Sequence, residues 1–266
     1  MITLVPALVV GLAAIVIIPV AWHRGSVAWL GAVLTIGLVL PHGFIAAVCT
    51  LPWLAVVIAT AWSVLAATRI PSSIEAAAHL GAHAFLIVGA GWATIAAAGL
   101  RPLGFAPVII ILTAAHFHYA GFAFGIVASR THHEAPSITT VVAISGWIVG
   151  VPLVAIGIAV SPAVEPWGAV ILAAAGTLLG AEQLGASRRH RSTLLLISGL
   201  SIIAAMVLAA GYGLAQHLGF GWLDIVAMER IHGIANALGF ALCGVLGWAR
   251  VDQDSAAQEV TTCVSV

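Results

Sequence analysis

The sequence predicts an all-α membrane protein, a polytopic transmembrane helix bundle of about nine spans. Three observations carry this. Of 266 residues, 62% are hydrophobic and only 7% are charged, which is too little charge to cover a water-facing surface. The apolar residues gather in runs of ~20, the length a helix needs to cross the hydrocarbon core. The arginines between these runs fall mostly on alternate sides, as topology signals do.

In chain order, the first span covers 3–22. It has no basic residue before it and Arg24 after it, the reverse of a secretory leader, which argues for an N-terminus outside. Spans 27–48 and 53–68 are divided at Pro52, because proline suits the first turn of a new helix; taken as one kinked unit they reduce the count to eight. The remaining runs are 75–99, 105–128, 137–160, 167–184, 193–215 and 227–249. Alternation from an outside start puts Arg24, Arg69, Arg130, Arg188, Arg189, Arg191 and Arg250 in the cytoplasm and leaves only Arg101 and Arg230 outside, in line with the positive-inside rule. Residues 1–250 then form one transmembrane domain, and 251–266 a polar, disordered cytoplasmic tail.

Composition also removes function classes. There is no lysine, so Schiff-base chemistry is out. The net charge of zero offers no basic surface for nucleic acid. The three cysteines form no CxxC pair, which argues against a disulfide framework or a cysteine-ligated zinc. No polar stretch is long enough for a nucleotide-binding domain.

What remains is a set of polar residues at membrane depth, where ionisable groups are costly and mark function or a specific internal partner. Glu75, His79 and His83 recur every four residues on one helix face. Two histidines at that spacing can share a metal, with the carboxylate orienting one ring; the alternative is a polar stripe that packs against other helices. His116 and His118 point to nearly opposite sides of their helix, so they do not make one metal site from a regular turn. Tyr119 lies on the His116 side. Glu229 and His232 have the i, i+3 spacing of di-metal carboxylate helices, with Asn236 one turn deeper; Glu229 could equally pair with Arg230. Glu182 reads as a site acid or as a boundary partner of Arg188 and Arg189. His42, after Pro41, is a modest further candidate. His23, His132, His133, His190 and His217 read as solvated.

Two stretches, LTAAHFHYAGFA at 112–123 and RIHGIANALGFALCGVLGW at 230–248, resemble the YndJ-like family of bacterial integral membrane proteins. The resemblance implies a polytopic bundle in the bacterial inner membrane, with His116, His118, Tyr119, His232, Gly233 and Asn236 as its marked positions. The family is loosely described as transporter-like, without a settled substrate.

Three functions compete. In the first, an intramembrane enzyme gathers Glu75, His79, His83, His116, His118 and His232 around zinc or iron, with Tyr119, Glu182, Glu229 and Asn236 handling substrate. The substrate is a hydrophobic small molecule, a lipid or isoprenoid entering from the bilayer, and the reaction is hydrolysis, cyclisation or isomerisation. A metal-free variant uses histidine and glutamate as acid and base. In the second, the same polar set forms a proton relay or a proton-coupled transporter. In the third, two histidines on different helices, such as His83 and His116, hold a haem.

Overall fold

The structure is a computed structural model that describes residues 4–68, 73–161, 163–219 and 223–264; the side chains of 216, 217, 225, 229 and 258–264 also lie outside the description. The described residues form only helices and connections. We number the helices α1 (Leu4–Ala21), α2 (Gly25–Val39), α3 (Phe44–Thr68), α4 (Ile74–Ala98), α5 (Pro107–Glu134), α6 (Ile138–Ala159), α7 (Glu165–His190), α8 (Thr193–Leu218) and α9. The last is built from Ile225–Ile234, Ala235–Leu242 and Cys243–Val264. Eight of the nine contain a stretch long and apolar enough to cross a membrane; α2 is the short one.

Local chemistry explains the ends. Ser73 caps α4 by accepting the Ala76 amide at 3.1 Å, and Gly99 closes it at φ +73°. Ser137 and Thr140 form a capping box on α6. Ser192 and Asp224 cap α8 and α9. Each cap satisfies amides that the first turn leaves open.

The division expected at Pro52 falls instead at Leu40–Gly43. Proline disfavours helical geometry in the residue before it, and Leu40 is extended at ψ 157°. Gly43 then turns the chain at φ +147° and donates its amide to the Ala97 carbonyl at 2.9 Å. Pro52 stays inside α3. His42, expected within the bilayer, is therefore an exposed residue of this turn, beside Gly99 and Arg101 at the end of a neighbouring helix pair. The segment after residue 250, for which composition suggests disorder, continues as helix to Val264.

Three wider π-helical turns interrupt α1 (Ala13–Ile17), α5 (Phe117–Ala123) and α9 (Ala235–Leu242), and all three touch one another. Side-chain donors from other helices bond a carbonyl inside the second and third of these turns and a carbonyl one helical turn ahead of the first. Tyr119 donates to Val9 at 2.7 Å, Trp147 to Ala120 at 2.6 Å and Ser198 to Phe240 at 2.9 Å. π turns are rare and misalign the backbone ladder, so carbonyls they free need outside donors.

Glycines bring α5 close to its neighbours. A β-carbon on Gly89 of α4 would stand 2.8 Å from His118 Nδ1, and one on Gly121 would stand 2.7 Å from Phe85 Cβ. Gly125 makes room for the Trp147 ring, on which Phe124 stacks at 5.7 Å. With no hydrophobic drive between helices in lipid, such close approach supplies the packing.

Candidate functional site

The intramembrane histidines do not converge. They fall into three groups, and most of their ring nitrogens already have partners.

In the core, His83 and His118 are held in the same way. Each points Nδ1 at the carbonyl four residues back, His79 at 2.8 Å and Ala114 at 2.7 Å. Each receives an indole N–H on Nε2, from Trp22 at 3.2 Å and Trp53 at 3.4 Å. An indole nitrogen only donates, so Nε2 is the acceptor and Nδ1 carries the proton. A metal or haem iron needs a free imidazole lone pair, and here both are occupied. An indole also cannot take up a proton, so neither pair passes one along. The rings extend as a stack, with Trp22 and Trp53 6.1 Å apart and His79 6.3 Å from His83. Phe122 meets Trp22 and His83 edge-on.

The second group lies beside the π turns of α5 and α9. His232 Nδ1 bonds the Ala205 carbonyl at 3.0 Å, and Asn236 Nδ2 reaches His232 Nε2 at 3.0 Å. His116 is within electrostatic range of His232, and its Nε2 is shielded without a partner. Tyr119, from the same π turn, is engaged with Val9. The Glu229 side chain lies outside the description.

The remaining predicted residues are elsewhere. Glu182 accepts from Ser137 Oγ at 2.8 Å, which ties α7 to the start of α6. Among the described residues, no three of the histidines, cysteines, aspartates and glutamates are arranged to hold a metal ion. The six-residue centre drawn from Glu75, His79, His83, His116, His118 and His232 is thus not assembled. Periodicity places residues on a helix face but does not say which faces meet.

The third group does open on a cavity. At the Arg-rich end of the bundle, α1, α4, α5 and α9 line a half-open space of about 370 Å³. Its floor is apolar, from Val20, Ala21, Ile126, Val127 and Val245, and its mouth carries Glu75, His79, His133, Arg130 and Asp252. Glu75 Oε1 lies 3.2 Å from His133 Nδ1. That contact orients the imidazole and leaves Nε2 as its second nitrogen. Arg130 is paired with Asp252, its Nε 3.1 Å from Oδ1, and with Glu134 at 3.5 Å. Glu134 in turn meets His190 at 3.0 Å. The Arg130 guanidinium lies 5.0 Å from the centre of the Trp248 ring. Ser129 and Trp248, both on the cavity wall, are almost wholly buried.

Sequence reasoning supplied Glu75 and His79 here. It missed His133 and Arg130, read as loop residues, and Asp252, assigned to the tail. One signal was available: Ser129 and His133 are four apart, and α5 runs on to Glu134 with a helical pattern.

The sequence pattern of the YndJ-like family matches residues 1–240. The chain belongs to the YndJ-like family. It is 31% identical over 184 residues to a Bacillus subtilis (strain 168) protein described as the uncharacterized membrane protein YndJ; the match covers 66% of this chain and 33% of that relative. The chain thus spans about a third of that relative's length. No solved structure matches. Helices and family together make this a multi-pass membrane protein, consistent with the bacterial inner membrane.

Proposed function

We propose that this YndJ-like chain is a membrane-embedded enzyme that works by acid–base chemistry on an amphipathic, lipid-like molecule in the cavity at its Arg-rich end. The observation that carries this is the Glu75–His133 contact at the mouth of a 370 Å³ space with an apolar floor. Such a space takes up an alkyl chain, and the polar mouth fixes a headgroup. A carboxylate on one imidazole nitrogen fixes the ring's orientation and leaves the second nitrogen to act, the arrangement general bases use. His79, also at the mouth, is a second acid or base. The positive-inside rule assigns this end to the cytoplasm, since Arg24, Arg130, the Arg188–Arg191 turn and Arg250 cluster there. The substrate then enters from the inner leaflet.

Native mass spectrometry of the chain in nanodiscs made from bacterial lipid extract tests it. A retained amphipathic adduct is expected, lost in Ala249→Trp, which fills the cavity, and kept in Leu100→Trp at the far end of the bundle. An adduct that survives Ala249→Trp unchanged would show that the cavity is not where the ligand sits.

A further inference from the structure

We infer that a second site, at the end of the bundle opposite the cavity, holds the phosphodiester of an anionic phospholipid, phosphatidylglycerol, between His42 and Arg101. The inference stands apart from the enzyme reading and uses none of its residues.

It starts from charge that the fold leaves unmatched. The positive-inside rule leaves Arg101 as one of two arginines on the outer side. His42 and Arg101 both line a small space of about 70 Å³, between the end of α2, the end of α4 and the start of α5. Both residues are exposed, so a molecule outside the fold can reach them. Among the described residues, neither has a hydrogen-bond or ion-pair partner. The lining holds no aspartate or glutamate, whereas the cavity at the Arg-rich end carries Glu75 and Asp252.

The backbone around them leaves both donors free. A helix ends in open carbonyls, which attract cationic side chains. Here the last turn of α4 has its carbonyls filled: Ile95 accepts from the Leu100 amide at 3.2 Å, Ala96 from Gly99 at 3.0 Å and Ala97 from Gly43 at 2.9 Å. The Gly43 bond also pins the turn between α2 and α3. Gly99 lets that turn come close, since a β-carbon there would stand 3.1 Å from His42 Cβ. His42 is thereby held against Gly99, two residues before Arg101. On the facing wall α5 opens at Pro107 without a side-chain cap, and the positive end of its dipole adds to the field.

An anion completes this arrangement. Arginine stays charged, and an imidazole has a ring N–H in either protonation state. A phosphodiester offers one negative charge and oxygens that accept from both. Depth selects a lipid over a soluble anion, because the ends of membrane-spanning helices lie among the headgroups. The floor agrees: Leu38, Ile110 and Ile111 are buried and apolar, and Leu100 is exposed at the rim. Basic pockets between membrane helices hold anionic headgroups in this way. The space takes the phosphate, and the acyl chains stay in the bilayer. An ethanolamine head would bring a second cation to Arg101 with no carboxylate in the lining to receive it. A glycerol head does not.

The test is native mass spectrometry of the full chain from nanodiscs that hold equal phosphatidylglycerol and phosphatidylethanolamine. Wild type is expected to retain phosphatidylglycerol about fivefold over phosphatidylethanolamine, the gain from one arginine near anionic headgroups. Arg101→Gln and His42→Ala should each lower that preference, and the double variant should abolish it at an unchanged unfolding temperature. Leu100→Trp, which crowds this pocket, should lose it too. Arg230→Gln, which removes the other outer arginine, and Ala249→Trp, which fills the cavity at the Arg-rich end, should leave it intact. No preference in wild type, or one undiminished in the double variant, would overturn the site. An equal loss in Arg230→Gln would trace the preference to diffuse outer charge, and a loss in Ala249→Trp alone would move the lipid to the other cavity; either overturns the assignment. Displacement of the lipid by millimolar inorganic phosphate would overturn the phospholipid as occupant and make this a site for a soluble anion.

Discussion

Single residues in this bundle are decided by where their hydrogen bonds go. Trp53 and His118 are fully buried, and the indole N–H fills the only acceptor on the imidazole. A double-mutant cycle on Trp53→Phe and His118→Phe, read by thermal unfolding in detergent, is expected to give a coupling of ~0.6–2 kcal/mol, the range for hydrogen bonds between membrane helices. A coupling of zero would mean that the two rings merely pack. Ser129 gives the opposite case. A buried hydroxyl with no partner costs ~1–3 kcal/mol, so Ser129→Ala is expected to leave unfolding temperature unchanged or raised. A drop in stability would indicate that the hydroxyl has a structural partner. Of the residues around the cavity, Glu75 and His79 were legible at this scale, since polar types at membrane depth stand out against alanine, valine and leucine. Their partners were not: nothing in the spacing of His83 announces Trp22, 61 residues away.

At the scale of elements, π turns and close glycine contacts set the geometry. Tyr119 reaches from the π turn of α5 to the Val9 carbonyl of α1, one helical turn ahead of the π turn of that helix. Tyr119→Phe removes the donor, and we expect faster hydrogen exchange of the amides from Ala13 to Ile17, with a loss of ~1 kcal/mol. Unchanged exchange there would show that α1 holds its π turn unaided. Gly89→Ala drives a methyl to 2.8 Å from His118 Nδ1 and is expected to cost ~1–3 kcal/mol, the usual range for overpacking. Gly91, with open space around it, is the control. The sequence marks helices well because composition and caps are local. It misassigned the break between α2 and α3 because both Pro41 and Pro52 can end a helix. The deciding contact, Gly43 to Ala97, joins segments far apart in the chain.

For the whole molecule, the last turn of α5 acts as a hub. Arg130, His133 and Glu134 reach Asp252 on α9, Glu75 on α4 and His190 on α7. Arg130→Gln removes the cation that two carboxylates share. We expect the Arg-rich end to loosen and the lipid adduct to weaken, seen as faster exchange in the segment around Asp252. Unchanged exchange would mean that apolar packing alone closes this end. Orientation is testable on the same scale. Of single cysteines placed at Ser192 and at Gly104, a membrane-impermeant maleimide should label only Gly104→Cys in intact right-side-out vesicles and Ser192→Cys only after permeabilisation.

Composition and run length alone determined that this chain lives in a bilayer as a bundle of helices, because lipid leaves an apolar backbone few other ways to satisfy its amides. They also marked which spans carry ionisable groups. Only the tertiary structure decided that the imidazoles of α4, α5 and α9 do not gather at one point: two are capped by tryptophans, and His116 lies with His232 away from them. It alone brought Glu75, Arg130, His133 and Asp252 around one cavity. Helical periodicity fixes the direction of a side chain on its own axis, whereas a site needs the rotation and crossing of several axes. Those depend on glycine contacts, freed carbonyls and ion pairs between residues up to 122 positions apart, as Arg130 and Asp252 are.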